Sequence, residues 1–413
     1  MINHLNSYLN DKLPEYLDLL RQMIEINSFT ANADGVNMLG QLTAQAFYQL
    51  GFQAEFVQSV NPQFGKHLFL SSQRSEPADN QPTIALISHL DTVFSPEEEK
   101  ANDFVWRVVG ERVYGPGAVD IKGGTVLALM TLDAIQKFYP AAFEKTHWLV
   151  ALDATEETIS NDFGEHCNAR LPADRTLACL IFEGGTPNPN GFPLVVARKG
   201  RAEFIVNVSG RGAHAGNYHR QGANAIVQLA HTIQQIANLT DYANNLTFNV
   251  GFIQGGSVAN RVPHQAQAIV EMRAFDSQVF ARGIESILSL GGESHISSQD
   301  GYPCQVSIAT RSQTPPWPLN PFTDRLFEIW NAAASDLGLH LFPEQRGGLS
   351  DGNLLWQSYP TLDGLGPTGN NAHCSERSED GSKDQEFVLL TSFVPKALLN
   401  VVAILRLIGE AIP

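Results

Sequence analysis

Five short segments of the sequence carry side chains of the types that bind divalent metal ions. They are SHLDTVF around His89, GPGAVDIKGG around Asp120, ATEET around Glu156 and Glu157, FEGG around Glu183, and NNAHCSE around His373. Two imidazoles and three carboxylates can hold two divalent cations when one carboxylate bridges the metals and a water lies between them. The residue types therefore predict a two-metal centre.

The carboxylates of this set need positive charge if they lie side by side. Three carboxylates at one place repel each other by roughly 3 kcal/mol per pair at about 5 Å, with an effective dielectric constant near 20. The charges of two dications balance Asp120, Glu157, Glu183 and one bridging hydroxide. We therefore do not expect the fold to keep this cluster without cations.

Some of these residues have a structural alternative when they are considered singly. Asp120 precedes a predicted helix and would serve as its N-cap. Glu156 and Glu157 follow a predicted strand, where adjacent acidic residues are commonly solvated. Glu183 ends an apolar segment and is followed by two glycines, which favours a functional role. Considered together, the segments favour the metal centre.

A predicted α/β sheet positions these segments. The runs TIALISH, HWLVALDA and LACLIFE are short and apolar, which is typical of strands covered on both faces. Helices are predicted for residues 4–26 and for IKGGTVLALMTLDAIQKF. His89, the glutamate pair and Glu183 follow the carboxyl ends of strands, where open α/β sheets bind ligands. A late strand near TLDGLG leads into the loop that carries His373.

Asp91 is the next residue but one after His89. In an extended segment it would face the same side as His89 and accept a hydrogen bond from the imidazole nitrogen that does not bind metal. This hydrogen bond would fix the tautomer of the ring.

The pattern of elements changes near Lys199. From there the chain reads strand, helix, strand, strand, helix, strand, an order that predicts a ferredoxin-like domain of about a hundred residues. We place this inserted domain at 199–309 and the α/β catalytic domain at 1–198 and 310–413. The predicted fold class is therefore α/β with an inserted βαββαβ domain.

Composition limits the size, partners and compartment of the protein. At 413 residues, with 43% hydrophobic and 17% charged residues, two globular domains are expected. A net charge of -16 argues against a nucleic-acid partner. The apolar segment KALLNVVAILRLIGEAI carries charges at intervals that predict an amphipathic closing helix rather than a membrane span. The N-terminus does not resemble a secretory signal, and four cysteines without CxxC spacing favour the cytoplasm.

Together, these motifs resemble the M20 family of metallopeptidases, which contains glutamate carboxypeptidases, aminoacylases and succinyl-diaminopimelate desuccinylase. The resemblance covers essentially the whole chain and is nearest to the glutamate carboxypeptidases. It implies that His89 and Glu183 bind one zinc ion. Glu157 and His373 would bind a second zinc ion, and Asp120 would bridge the two. Co²⁺ or Mn²⁺ would be possible substitutes for the two zinc ions.

The resemblance also assigns the proton chemistry. Asp91 would orient His89, and Glu156 would be the general base. Glu156 would take a proton from the water shared by the metals and later deliver it to the leaving amine. A cis peptide bond is implied after Asp120.

Two positions depart from the family pattern. Ile159 replaces a glycine in the loop after the glutamate pair, which affects the expected loop conformation. Cys374 follows His373 where serine is frequent, and we interpret it as a small buried side chain rather than a metal ligand.

The inserted domain contains the predicted substrate contacts. Taken singly, His214, Asn260 and Arg273 would be a surface histidine, a turn asparagine and a solvated arginine. The resemblance implies instead that Asn260 and Arg273 hold the free carboxylate of the substrate. It also implies that His214 crosses from a partner subunit to the scissile carbonyl. The segment RGGLSDGN resembles a loop on the substrate side, and we assign it no individual role.

A homodimer follows from the same domain. A ferredoxin-like insertion has one face covered by helices and an exposed sheet or helix edge, which suits a two-fold contact. The insertion would therefore serve as a lid and dimerisation domain.

Three functions remain open at this stage. The leading prediction is a cytoplasmic di-zinc hydrolase that releases a C-terminal amino acid, with glutamate as a candidate, from a peptide or an N-acyl amino acid. The second is an aminoacylase or other deacylase with the same chemistry and a different acyl pocket. The third is a metal-bound binding protein without activity, against which the presence of Glu156 argues.

Overall fold

The computed structural model describes residues 2–72, 81–158 and 162–410. Ile159, the predicted departure in the glutamate loop, lies outside these residues. The chain forms two compact units. The first comprises Met1–Val196, Leu319–Gln345 and Ser350–Pro413, and the second comprises Ala197–Pro318 with Arg346–Leu349.

Helices and strands are numbered along the whole chain. The helices are α1 (Ile2–Ile24), α2 (Ala33–Tyr48), α3 (Pro96–Ala101), α4 (Gly123–Phe138), α5 (Pro140–Lys145), α6 (Asp162–Asn168), α7 (Ala225–Ala237), α8 (Ser277–Ser289), α9 (Pro321–Asp336), α10 (Gly352–Leu355) and α11 (Leu390–Leu407). The strands are β1 (Gln53–Gln58), β2 (Lys66–Ser71), β3 (Thr83–His89), β4 (Arg107–Val109), β5 (Arg112–Tyr114), β6 (His147–Asp153), β7 (Thr176–Ile181), β8 (Phe192–Arg198), β9 (Gly200–Ser209), β10 (Thr247–Gly255), β11 (Gln265–Ala274), β12 (Gln305–Thr314), β13 (Leu341–Arg346), β14 (Thr361–Leu362), β15 (Gly369–Asn370) and β16 (Phe387–Leu389).

The central sheet of the first unit has the strand order β1-β2-β6-β3-β7-β14. β3 pairs in parallel with β6 and β7, and β7 pairs in parallel with β14. Every residue of β3 and β6 is buried. The apolar runs TIALISH, HWLVALDA and LACLIFE therefore form the adjacent central strands that the sequence predicts.

Two apolar cores cover the two faces of this sheet. Side chains alternate between the faces of a strand, so Ile84 and Leu86 of β3 enter one core while Ala85 and Ile87 enter the other. Helices α1, α2, α4, α5, α9 and α11 contribute to the larger core, and α6 and α10 contribute to the smaller one. Smaller strands form a second sheet in the order β15-β16-β5-β4, and β8 pairs with β13.

The closing helix α11 is more deeply buried than an amphipathic helix would be. By length and composition Leu390–Leu407 could cross a membrane, but 72% of this segment is buried inside the fold. Its polar side chains are paired there, since Lys396 donates to the carbonyl of Gly364 at 2.6 Å and Asn400 accepts from Trp330 at 3.0 Å. The amphipathic prediction places Lys396 on an exposed face, and this is wrong because Lys396 is fully buried. α11 therefore packs as a core helix.

The second unit has the predicted order β9-α7-β10-β11-α8-β12. Its antiparallel sheet, in the order β10-β11-β9-β12, matches a ferredoxin-like βαββαβ arrangement. Alternate residues of β9, from Ala202 to Val208, are buried in a core shared with α7 and α8. β12 continues to Thr314, beyond the predicted domain limit of 309, because its pairing with β9 extends to Arg201.

Candidate metal centre

Parallel strands bring the first candidate ligands to one edge of the central sheet. His89 is the last residue of β3, Glu156 and Glu157 form a short 3₁₀ turn just after β6, and Glu183 follows β7. Because β3 runs parallel to both β6 and β7, the carboxyl ends of the three strands meet at the same edge. This edge is where the sequence predicts the site.

Asp120 lies in an irregular turn, Ala118–Lys122, just before α4. The N-cap of α4 is Lys122, so the capping alternative for Asp120 does not hold. The peptide bond between Asp120 and Ile121 is cis, as the resemblance implies. Glu183 is followed by Gly184, where a Cβ atom would lie only 2.3 Å from Val119 Cγ2. The glycine therefore lets the segment that carries Glu183 pack closely against the turn that carries Asp120.

His373 reaches the site from a different sheet. It lies between β15 and β16 rather than directly after β14, and its φ of 64° is unusual for a residue other than glycine. Its side chain is 54% exposed, and Nε2 lies 3.2 Å from Glu157 Oε2. The sequence thus places His373 in a loop correctly, but the strand before it is not part of the central sheet.

The two carboxylate oxygens of Asp120 face two different histidines. Oδ1 lies 3.0 Å from His89 Nε2, and Oδ2 lies 3.3 Å from His373 Nε2. Glu183 Oε1 lies 3.8 Å from His89 Nε2, so His89, Asp120 and Glu183 form one group. Asp120, Glu157 and His373 form the other, and within each group the candidate ligand atoms lie within 4.8 Å of one another. Imidazole nitrogens and carboxylate oxygens in this arrangement fit two divalent cations with Asp120 between them.

The electrostatics of the cluster favour bound positive charge. Burial raises the pKa of Glu156 well above its usual range, and the neighbouring carboxylates of Glu157, Glu183 and Asp120 raise it further against the opposing effect of His89. Hydrogen bonds to Asp120 and Glu157 raise the pKa of His373 to about 11. Such an acidic cluster attracts positive charge, which either bound protons or divalent cations can supply.

The two partners of Asp120 control its own ionisation. Burial alone would raise the pKa of Asp120, but hydrogen bonds from His373 and His89 hold it well below its usual range. Its carboxylate is therefore charged and able to act as a ligand.

Asp91 has a different role from the one expected. The prediction assumed that the strand continues through Asp91, but β3 ends at His89. His89 Nδ1 consequently lies 2.9 Å from the main-chain oxygen of Asp91 and 3.6 Å from its carboxylate. The carboxylate instead accepts main-chain N–H groups of Glu156 and Glu157 at 3.1 and 3.2 Å, and the hydroxyl of Thr30 at 2.7 Å. Asp91 therefore orients His89 through its backbone and holds the glutamate turn with its side chain.

Glu386 supports the turn of Asp120 and was not predicted from the sequence. Its Oε1 accepts the main-chain N–H groups of Val119 and Asp120 at 2.8 and 3.1 Å, and its side chain is fully buried. Burial and the charge of Asp120 raise the pKa of Glu386 to about 8. The sequence shows only a single acidic residue before a short apolar strand, which is too weak a signal to identify this contact.

Asp351 is a second acidic residue for which the sequence predicts no individual role. It is buried, and burial together with the charges of Asp153 and Glu156 raises its pKa well above the usual range. Asp351 therefore contributes to the electrostatic surroundings of Glu156. The signal was its position in the segment RGGLSDGN, which resembles a loop on the substrate side.

Cys374 is not the buried side chain that we expected. It is half-buried, and its Sγ lies 3.8 Å from the main-chain oxygen of Glu376. Among the described residues, the groups of possible metal ligands do not include Cys374.

His214 and Asn260 belong to the second unit and lie on adjoining exposed segments. The main-chain oxygen of Asn260 accepts from Ala215 at 2.9 Å. His214 Nδ1 accepts N–H groups of Gly216 and Asn217 at 3.1 and 3.2 Å. Since Nδ1 acts as an acceptor, the neutral ring carries its proton on Nε2. This tautomer can donate a hydrogen bond from Nε2 to an anionic oxygen.

Arg273 lies on β11 of the second unit and is already partly paired. Its Nε donates to Glu271 at 2.7 Å, and its Nη1 donates to the carbonyl of Gly347 at 2.7 Å. Nη2 lies 3.3 Å from the second oxygen of Glu271. These contacts use three of the five N–H groups of a guanidinium and fix its orientation.

Comparisons with known proteins agree with this architecture. Residues 196–290 match the family model of the peptidase dimerisation domain. Over 371 residues the chain is 24% identical to carboxypeptidase G2 of Pseudomonas sp. (strain RS-16), which covers 89% of this chain and 85% of the relative. It is 25% identical over 281 residues to acetylornithine deacetylase of Photorhabdus laumondii, which covers 64% of this chain and 69% of the relative.

The fold has a close counterpart among solved structures. The M20 family metallo-carboxypeptidase Sso-CP2 from Sulfolobus solfataricus superposes with a TM-score of 0.69 at 14% identity, covering 95% of this chain and 99% of that one. The matched dimerisation domain, the curated relatives and this fold agree with the resemblance that the motifs carry. The domain match, the relatives and the fold together support the M20 metallopeptidase family for this chain.

Proposed function

We propose that the protein is a di-zinc amidohydrolase that cleaves an amide bond next to a free carboxylate and releases a C-terminal amino acid. The observation that supports this function most is the position of Asp120, whose two oxygens face two separate pairs of candidate ligands. Similarity to carboxypeptidase G2 favours a carboxypeptidase, with glutamate as the first candidate for the released residue.

Glu156 is the residue that we propose as the general base. Divalent cations held on either side of Asp120 would polarise the substrate carbonyl and lower the pKa of a water toward about 7. Glu156 is part of the same cluster, and its main chain is fixed by the hydrogen bond to Asp91. Its carboxylate would accept the proton of the attacking water and then deliver it to the leaving amine. Glu157, 3.2 Å from His373, would serve as a ligand instead.

A deacylase remains the second candidate function. Acetylornithine deacetylase of Photorhabdus laumondii is among the relatives, and the same ligands and base would cleave an N-acyl amino acid. The two functions differ in the acyl pocket rather than in the chemistry. An inactive metal-binding protein is a weaker candidate, because it has no need of the half-buried Glu156 carboxylate beside the candidate ligands.

The proposed partners follow from the same considerations. The substrate would be a small peptide or an N-acyl amino acid, and the match to a peptidase dimerisation domain favours a homodimer. The four free cysteines favour a cytoplasmic location. A nucleic acid is not a proposed partner, given the net charge of -16, and a membrane is not proposed because α11 is mostly buried inside the fold.

The carboxylate preference can be tested with Arg273→Ala. The zinc-loaded protein is first screened for amine release from dipeptides and N-acyl amino acids with varied C-terminal residues. For the best substrate, Arg273→Ala should weaken binding of the free acid by roughly 2 to 3 kcal/mol and hardly affect the matching C-terminal amide. The matched control is Arg311→Ala, which removes a more exposed arginine that pairs with Glu203 on the same sheet.

Two outcomes would count against this part of the proposal. Equal losses for the acid and the amide would mean that Arg273 only braces Glu271 and Gly347. No amine release from any of the compounds would count against the hydrolase itself.

A shared active site is the second test of the proposed assembly. If His214 enters the cleft of a partner subunit, His214→Ala and Glu156→Ala should each be nearly inactive. A mixed dimer combines an intact Glu156 from one chain with an intact His214 from the other. Mixing the two variants under conditions that exchange subunits should therefore restore activity, with no more than one working site per mixed dimer.

The controls separate assembly from catalysis. His340→Ala removes an exposed histidine of the first unit and should keep the turnover of the wild type. Subunit exchange is verified by mass spectrometry of differently labelled chains. Confirmed exchange without recovered activity would mean that His214 acts within its own chain or has no catalytic role.

A further inference from the structure

A second group of metal-ligand side chains lies in the first unit, and it shares no residue with the candidate metal centre. It consists of His67 on β2 with Asp162 and His166 on α6. Asp162 and His166 are four residues apart, so they lie on the same face of the helix. One ligand atom from each of the three residues lies within 4.8 Å of the others.

His67 is oriented as metal-binding histidines usually are. Its side chain is fully buried, and Nδ1 lies 3.0 Å from Asp153 Oδ1. A carboxylate in this position directs the other nitrogen toward a metal. That nitrogen, Nε2, lies 3.1 Å from Asp162 Oδ2. The corresponding distance between His89 Nε2 and Asp120 Oδ1 in the candidate metal centre is 3.0 Å, so this imidazole–carboxylate spacing is similar at the two places.

The charges around His67 also suit a cation. Asp153 is fully buried and the side chain of Asp162 is only 12% exposed, so two poorly solvated carboxylates flank the two nitrogens of the His67 ring. Burial opposes a charge on His67, but hydrogen bonds to Asp153 and Asp162 raise its pKa to about 9. A dication would neutralise both carboxylates at once. His166 is half-buried, which leaves the group accessible to an ion and to water.

We propose that His67, Asp162 and His166 form a further divalent-cation site, distinct from the candidate metal centre. Two imidazoles and one carboxylate with an open fourth position are a ligand set that suits Zn²⁺. Val60 donates its main-chain N–H to Asp162 Oδ2 at 2.7 Å and so helps to fix this ligand.

The position of this site gives the bound ion a structural role. Asp153 precedes the turn that carries Glu156, and Asp162 is the first residue of the helix after that turn. An ion on His67 and α6 would therefore tie β2 to the element that follows the glutamate turn. It would hold the base in place without contacting the substrate.

The alternative is a hydrogen-bonded group without metal. The main-chain N–H of Ala154 lies 3.2 Å from His67 Nδ1. If Nδ1 accepts this hydrogen bond, Nε2 carries the ring proton and donates to Asp162, and no ion is required. The two possibilities differ in the number of ions that the folded chain binds.

The test compares His166→Gln with His166→Cys. Both variants lose the imidazole, but only cysteine keeps a zinc ligand. The full-length protein is dialysed to equilibrium against Zn²⁺, and zinc per chain is measured by mass spectrometry. His166→Gln should bind one ion fewer than the wild type, and His166→Cys should bind the same number as the wild type. His340→Gln serves as the control for an exposed histidine.

Thermal melting provides a second measurement on the same samples. In EDTA the His166→Gln variant should melt close to the wild type, whereas added zinc should raise its melting temperature less. Equal zinc content in the wild type and both His166 variants would overturn the site and leave the hydrogen-bonded group. Because the test scores a difference of one ion, it does not depend on how many ions the candidate metal centre holds or on whether the protein is a hydrolase.

Discussion

Glu156→Gln should lower turnover by roughly 10² to 10⁴ while the zinc content stays near that of the wild type. Glutamine keeps the shape of the side chain but cannot accept a proton from water. The main-chain N–H of Glu156 donates to Asp91, and this contact does not depend on the side chain. The loss should therefore appear in kcat, with the fold and the ligands intact.

Glu157→Gln is the matched control for this experiment. Glu157 is its neighbour in the same turn, but its carboxylate lies 3.2 Å from His373 Nε2 and is a candidate ligand together with Asp120 and His373. The control should therefore lose zinc. The geometry also groups Glu156 with His89 and Glu157 as possible ligands. If Glu156→Gln loses zinc and Glu157→Gln keeps it, the two assignments must be exchanged.

The sequence predicts the fold well where one physical signal dominates. Strands buried on both faces are mainly apolar, and β3 and β6 carry uninterrupted apolar runs at Ile84–Ile87 and Trp148–Leu152. The order of elements in the second unit is equally easy to predict, because the hydrophobic periodicity of the sequence distinguishes its strands from its helices. Burial of α11 was underestimated, since Lys396 looks like a solvent-facing residue until its hydrogen bond to Gly364 is known.

Site residues could be predicted when their element or motif was evident. His89 and Glu183 follow apolar strands, and parallel pairing then brings them together. His373 required the family resemblance, because its loop connects strands of a different sheet. For Asp91 the sequence predicts a contact with His89 but not the atoms that make it, since the path of the chain after β3 decides whether backbone or carboxylate faces His89.

The remaining site residues act through contacts that leave little trace in a single sequence. Glu386 binds main-chain N–H groups more than 260 residues away along the chain, at Val119 and Asp120. Such a contact does not constrain the types of its partner residues. The pairing of His67 with Asp153 and Asp162 likewise depends on how β2 lies against β6 and α6.

Removing divalent cations should markedly lower the thermal stability of the protein. The three carboxylates of the candidate metal centre repel one another, and bound cations offset this repulsion. When the free metal concentration is 100 times the dissociation constant of a site, binding at that site adds about 2.7 kcal/mol to the free energy of unfolding. Melting curves with and without EDTA, with zinc-saturated EDTA as the control, measure the effect. The prediction would be contradicted if elemental analysis finds no metal in the purified protein and EDTA leaves its melting temperature unchanged.

Asp120→Ala should weaken both positions of the centre together. A bridging carboxylate contributes one oxygen to each ion, so its removal cannot spare either. Zinc content per chain, measured by mass spectrometry against the wild type, should fall by two ions. The loss of a single ion would mean that Asp120 serves one metal only.

Anomalous diffraction at the zinc edge, from crystals of the zinc-loaded wild-type protein, tests the bridging role of Asp120 most directly. We expect two peaks, one beside His89 and Glu183 and the other beside Glu157 and His373, with the carboxylate of Asp120 between them. A single peak at this edge of the central sheet, or none, would contradict the two-metal centre and the mechanism proposed for it.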